Sequence, residues 1–161
     1  MNDIKVVLSN IDSHIKDEDY FPLSVSYDTI AEEVRHVGFY KNDDDLLELT
    51  VAKDSGRLIT ILLTICHHYS IEDSCFDYSS ILPSNDDVTI LLPDHNECDT
   101  FNMIVYTNCV VIHISVIKPS KYVKCGQVLF GIDSSNQICS LIVTEITETN
   151  INHIINELSL Q

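Results

Sequence analysis

Between Arg57 and Lys118 the sequence holds no lysine or arginine at all, and over its 161 residues it has 9 Lys and Arg against 25 Asp and Glu, a formal net charge of −16. Nucleic-acid binding relies on cations replacing the counterions of phosphates, so this shortage disfavours direct binding to DNA, RNA or an anionic membrane. Glycine and proline are scarce, four of each, which lets long stretches be regular structure with short connections. The longest nearly uncharged apolar runs, Leu58 to Cys66 and Cys109 to Ile117, are less than half the roughly 20 residues a membrane helix needs. A soluble protein is expected. The amino-terminal Met-Asn-Asp-Ile-Lys-Val-Val-Leu lacks the basic start and apolar core of a secretory signal, so no export is expected. No C-x-x-C pair occurs; Cys66, Cys75, Cys98, Cys109, Cys125 and Cys139 are scattered and read as reduced thiols of a cytoplasmic protein.

What is present is an ordinary globular mixture. With 45% hydrophobic and 21% charged residues the chain has material for a core, which excludes disorder and collagen-like structure. Its length fits one domain spanning residues 1–161.

Near the amino terminus Leu8, Ile11 and Ile15 recur at helical intervals and suggest a short amphipathic helix ending before Lys16-Asp17-Glu18-Asp19. After Pro22, Leu23 to Tyr27 alternates like a strand. Thr29 and Glu32 have capping-box spacing and Ile30, Val34 and Val37 share a helical face, so a second short helix is expected from Thr29 to Val37, ending at Gly38. From Leu46 onward β-branched and aromatic residues gather into runs of strand length: Leu47 to Val51, Leu58 to Cys66, Val88 to Leu92, Phe101 to Tyr106, Val110 to Ile117, Tyr122 to Ile132 and Ile138 to Thr144. Most of their connections are too short for crossover helices, so neighbouring strands should be antiparallel. Gly56 and Asn136 suit the left-handed position of hairpin loops, and setting one opposite the other aligns Leu58 with Ile138, Ile61 with Leu141 and Leu63 with Val143. Common turn chemistry accounts for that likeness, which is shorter than a repeat unit. Ile151, Ile154, Ile155 and Leu158 then mark a closing helix, with Thr147 or Thr149 as its cap.

Motifs for catalysis are missing: no G-x-S-x-G elbow, P-loop, G-x-G-x-x-G turn or H-E-x-x-H helix occurs. The chain is therefore not expected to be an enzyme. Cys66, His68, His95 and Cys98 could supply a zinc site in principle, but the compact pairs of zinc-binding motifs are absent, and buried cysteines beside partly exposed histidines account for them better. No cofactor is expected. His113 alternates with Val110, Ile112 and Ile114 and receives no function.

The cation-free interval carries the candidate site. Glu72, Asp73, Asp77, Asp86, Asp87, Asp94, Glu97 and Asp99 lie in it, with Tyr78 interleaved as an aromatic anchor. They are assigned as partner-binding residues that would meet a basic protein. A solvated acidic surface serving solubility alone is the competing explanation.

The hairpin Leu46 to Ile61, the tail Val128 to Asp133 with Ile138 to Val143, and the segment Thr147 to Leu158 resemble small immunity proteins of bacterial polymorphic toxin systems, of which contact-dependent growth inhibition immunity proteins are the best-known members. The resemblance implies a cytoplasmic, non-enzymatic inhibitor of one cognate toxin, often a basic nuclease, and carries no individual residue across. The expected fold is a single α+β domain: a twisted, mainly antiparallel sheet of five to seven strands with a carboxy-terminal helix and short amino-terminal helices packed on it. The expected function is occlusion of a basic toxin domain; an acidic intracellular binding or assembly module unrelated to toxins is the alternative.

Overall fold

The computed structural model describes residues 3–161; Met1 and Asn2, the first two residues of the stretch read for an export signal, lie outside the described residues. Fourteen strands and one helix follow in chain order: β1 (Ile4–Leu8), β2 (Ser13–Ile15), β3 (Leu23–Tyr27), β4 (Val34–Lys41), β5 (Asp45–Ala52), β6 (Leu58–Cys66), β7 (Tyr69–Ile71), β8 (Val88–Leu92), β9 (His95–Glu97), β10 (Asn102–Val105), β11 (Val110–His113), β12 (Lys121–Cys125), β13 (Val128–Ile132), β14 (Ile138–Val143) and α1 (Glu148–Ser159). They form a six-stranded sheet in the order β2-β3-β6-β5-β4-β9, a second in the order β12-β13-β14-β11-β10-β7, and a two-stranded β1-β8 ribbon. Most pairs are antiparallel, while the edge strands β9 and β7 run parallel to β4 and β10.

Alternation makes the core. Leu47, Leu49 and Val51 of β5, Ile61 and Leu63 of β6, Met103 and Val105 of β10, and Val128, Phe130 and Ile132 of β13 belong to one buried cluster that also takes in Val6 and Leu8 of β1 and Ile154 and Leu158 of α1. The two large sheets thus share a single apolar interior, as sheets with one hydrophobic face each must. Across it the Tyr27 hydroxyl donates to the Cys125 carbonyl at 2.8 Å. The helix begins as its spacing predicts: Thr147 is the cap, its hydroxyl accepting from Asn150 N at 3.1 Å while the Asn150 side chain accepts from Thr147 N.

The amino-terminal helices do not exist. Leu8 closes β1, whose Ile4, Val6 and Leu8 alternate with period two, and Ile15 closes β2, opposite Val25. Residues 29–33 are irregular, with Ile30 fully exposed, and Val34 opens β4, which pairs along its whole length with β5. The reason is length and partner: a three-residue apolar stripe is equally compatible with both periods, and eight ladder positions against β5 outweigh a local capping signal. The run Tyr122 to Ile132 is a hairpin, not one strand, because Gly126 turns the chain at φ +60°.

The segment 72–84 gives the second sheet a covered outer face. It leaves β7, where Ser74 O accepts from Thr107 N at 3.0 Å and Phe76 exchanges two hydrogen bonds with the Asn108 side chain, both 2.9 Å. It ends beside β12 at the opposite edge, where Ser84 donates to Tyr122 O and accepts from Lys124 N. In between, Phe76, Tyr78 and Ile81 cover Cys109, Val111, Leu129 and Ile142 in a satellite apolar cluster.

Two glycines separate steric demand from mere tolerance. A Cβ at Gly126 would strike the Ser13 hydroxyl and lie 2.6 Å from Ile11 O, at a positive φ; one at Gly38 would find its nearest atoms at 3.7 and 3.8 Å. Urea denaturation should show G126A losing about 2–4 kcal/mol, and G38A unchanged or stabilised by up to about 1 kcal/mol.

Candidate functional site

The eight acids of the cation-free interval are all exposed, and none forms an ion pair with Lys, Arg or His among the described residues. The sole pairing of a carboxylate with a Lys or Arg side chain there is Glu33 with Lys53, at 2.6 Å; that contact holds the Glu33 carboxyl below its usual range. A negative field on this surface is therefore left largely uncompensated.

The fold distributes the nine assigned residues over several elements. Glu72 and Asp73 follow edge strand β7, and Asp77 sits in the crossing segment, where the Ser79 hydroxyl and amide bonded to its side chain lower its pKa. Tyr78 is half-buried in the satellite cluster, so it anchors the segment to its own sheet. Asp86 and Asp87 lead into β8 and Asp94 follows it, with Asp94 O accepting from Gly38 N at 2.9 Å. Glu97 lies within β9, not in a loop, and Asp99 lies just beyond, where its carbonyl takes a 2.6 Å hydrogen bond from Lys41 Nζ. Asp86 and Asp87 precede β8, Asp94 follows it, and Glu97 and Asp99 line one cleft beside β9, while Glu72, Asp73 and Asp77 lie in the segment that follows β7.

The most constrained polar group in the fold is one the sequence does not single out. Asp45, at the start of β5, has a carboxylate fully removed from solvent. Its Oδ1 accepts from the backbone N–H of His67 at 2.9 Å and of His68 at 3.2 Å, and its Oδ2 from His68 Nδ1 at 2.6 Å. These amides lie where the chain leaves β6 for β7; that of His67 also donates to Asp44 O at 3.2 Å, one step beyond the β5–β6 register, and among the described residues that of His68 has no acceptor but the Asp45 carboxylate. The contact with the His68 ring is the shortest of the three, and that ring is half exposed. Adjacent Asp43 and Asp44 are exposed acids of a tight turn, and only the histidine pair at the end of an apolar strand hints that Asp45 differs.

The four residues weighed for zinc are each engaged elsewhere. Cys66 Sγ donates to His68 O at 3.6 Å, the His68 ring faces Asp45, His95 stacks on Tyr40 with centroids 3.9 Å apart, and Cys98 Sγ donates to Asn96 O at 3.8 Å. Among the described residues no group of three or more Cys, His, Asp or Glu side chains is placed to hold a metal ion.

All six cysteines are free. Burial pushes the Cys66 and Cys109 thiols up to about 12 and those of Cys98 and Cys139 up to about 11, and raises Cys125 further still; the carboxylates of Asp45, Asp99, Asp133 and Asp87 act in the same direction on Cys66, Cys98, Cys139 and Cys125. Burial also lowers the pKa of His113, on the outer face of β11. Among the described residues no helix is long and apolar enough to cross a membrane.

Comparison with known proteins found no family model that matches the chain and no match among the curated proteins.

Two outcomes follow from this geometry. At pH 8 a disulfide reagent should titrate one fast thiol in the native protein, exposed Cys75, and all six in denaturant, because thiolate is the reactive form. Asp45→Ala should lower urea stability by about 2 kcal/mol, since the His68 amide and ring lose their acceptor and the His67 amide keeps only Asp44 O. Asp45→Asn should cost less, as its amide oxygen still accepts from His67 and His68.

Proposed function

We propose that this chain is a non-enzymatic inhibitor that neutralises a basic toxin domain of the nuclease class, in the manner of an immunity protein. The observation that supports this reading is the exposed acid of the cation-free interval, which has no ion-pair partner among the described residues. Its carboxylates accept charge-assisted hydrogen bonds from toxin Lys and Arg side chains that otherwise hold substrate phosphates, so inhibition is occlusion and not chemistry. Long-range attraction speeds encounter, and its reach is set by a Debye length of about 8 Å at physiological salt.

The test is association kinetics with the protein encoded directly upstream, across a salt series. Joint replacement of Asp86, Asp87, Asp94 and Glu97 by Asn or Gln should slow association about tenfold at low salt and leave the melting temperature within a few degrees. A rate indifferent to salt and to the four replacements would remove the charge mechanism, and absence of any complex would favour the alternative of an acidic binding or assembly module unrelated to toxins.

A further inference from the structure

We propose that the outer edge of β8 is a docking site for a basic, extended segment of a partner protein, which adds to the β1-β8 ribbon as a third strand. The inference rests on the reading of this chain as a binder of a basic protein and names the surface and the form of the ligand.

The backbone directions come from one hydrogen bond. Val7 N donates to Gly56 O at 2.8 Å, on the side of β1 away from β8. Val7 is paired with Thr89, so this is a position where the two strands exchange no hydrogen bonds, and the Thr89 N–H and C=O point away from β1. Antiparallel ladders alternate, which gives Leu91, opposite Lys5, the same outward direction. Two donors and two acceptors thus line a free edge. Among the described residues no other strand and no hydrogen bond outside the β1 ladder reaches residues 88–92.

The usual protections of an edge strand are missing. Natural edges are blunted by an inward charge, a lysine, a proline or a bulge, and Val88-Thr-Ile-Leu-Leu92 has none of these and pairs in unbroken register. Its inner side chains, Ile90 and Leu92, are held in the core, while Thr89 and Leu91 face solvent, Leu91 at 58% exposure. The edge is therefore rigidly mounted and open, the arrangement that strand addition requires.

Charge selects the occupant. Asp86 and Asp87 stand at one end and Asp94 at the other, all exposed and without an ion-pair partner among the described residues. Lys5, the ribbon's own cation, lays its stem over Gly56 on the side away from β8. A second copy is disfavoured: antiparallel self-pairing of Thr89 with Leu91 would set Asp94 opposite Asp86, like charge against like. A segment with Lys or Arg at both ends and β-branched residues between them meets the edge and its acids together.

The probe is a fluorescein-labelled peptide, Lys-Lys-Val-Thr-Val-Thr-Val-Lys-Lys, followed by anisotropy at low salt. It should bind, its counterpart with Glu for Lys should not, and N-methylation of alternate residues should weaken binding about tenfold in one register and little in the other. Leu91→Pro removes an outward N–H that the β1 ladder does not use, and should weaken the unmodified peptide about tenfold with folding retained. Should that variant fail to fold, the two N-methylated peptides on the unaltered chain decide the matter. Binding indifferent to both N-methyl registers and to Leu91→Pro would overturn the edge site and leave the basic-partner reading standing. A dimer of the unaltered chain that Leu91→Pro converts to monomer in sedimentation would overturn the occupant. Loss of the upstream partner complex, tested separately, bears on the function and not on the edge.

Discussion

A core shared by two sheets makes the chain leave its ladders at corners and edges, and the fold depends on how the backbone polar groups there are satisfied. Each buried N–H left without an acceptor costs about 1–3 kcal/mol. Where β6 leaves its sheet for β7, the Asp45 carboxylate accepts from both amides of the corner, sharing that of His67 with Asp44 O. Where β6 outruns β3, the Gln161 side chain closes the gap, accepting from Cys66 N at 2.9 Å and donating to Thr64 O at 2.9 Å. The β13–β14 turn uses Asp133 in the same way, its Oδ1 accepting from Ser135 and Gln137. These polar side chains act as the ladder's missing partners, and each lies where regular pairing runs out.

Much of the fold was legible because β patterning is local. The runs that became β5, β6, β8, β10 and β14, the left-handed turns at Gly56 and Asn136, and the Thr147 cap follow from period, turn chemistry and capping, and the structure places them as expected. The misreadings share a cause. Val34 and Val37, or Leu8, Ile11 and Ile15, are too few to fix a period, and the ladder that decides, β4 with β5 or β1 with β8, lies elsewhere in the sequence. Strand number was underestimated for a related reason: short edge pieces such as β7 and β9 carry no pattern of their own and exist because β10 and β4 offer them an edge.

The candidate site was legible as composition and not as geometry. Absence of cations from residues 58–117 is visible in the sequence, and so is the acid of that interval; which carboxylates share a surface is not, because the interval runs through an edge of one sheet, over its outer face, along the ribbon and onto the edge of the other. Tyr78 shows the limit. An aromatic among acids reads as an interface anchor, and the structure adds that it is half-buried against the satellite cluster of its own sheet. Asp45 shows the converse, an acid within an acidic turn whose burial is decided by a corner more than twenty residues away.

The bare edge of β8 and the excess of negative charge are best understood together. An exposed, regular strand with an outward leucine is an aggregation hazard in a neutral protein, since its free N–H and C=O groups accept any extended chain. Acids at both ends change which chains can come. Two copies of this protein, each carrying a net charge of −16, repel at long range and place like charges opposite one another on contact, whereas a cationic segment is drawn in by the field that keeps the copies apart. On the proposed reading the same carboxylates keep copies apart and select the partner. On that reading, neutralising them would weaken attraction to a basic partner and lower the barrier to self-pairing at once, so the anionic surface and the open edge belong to one design.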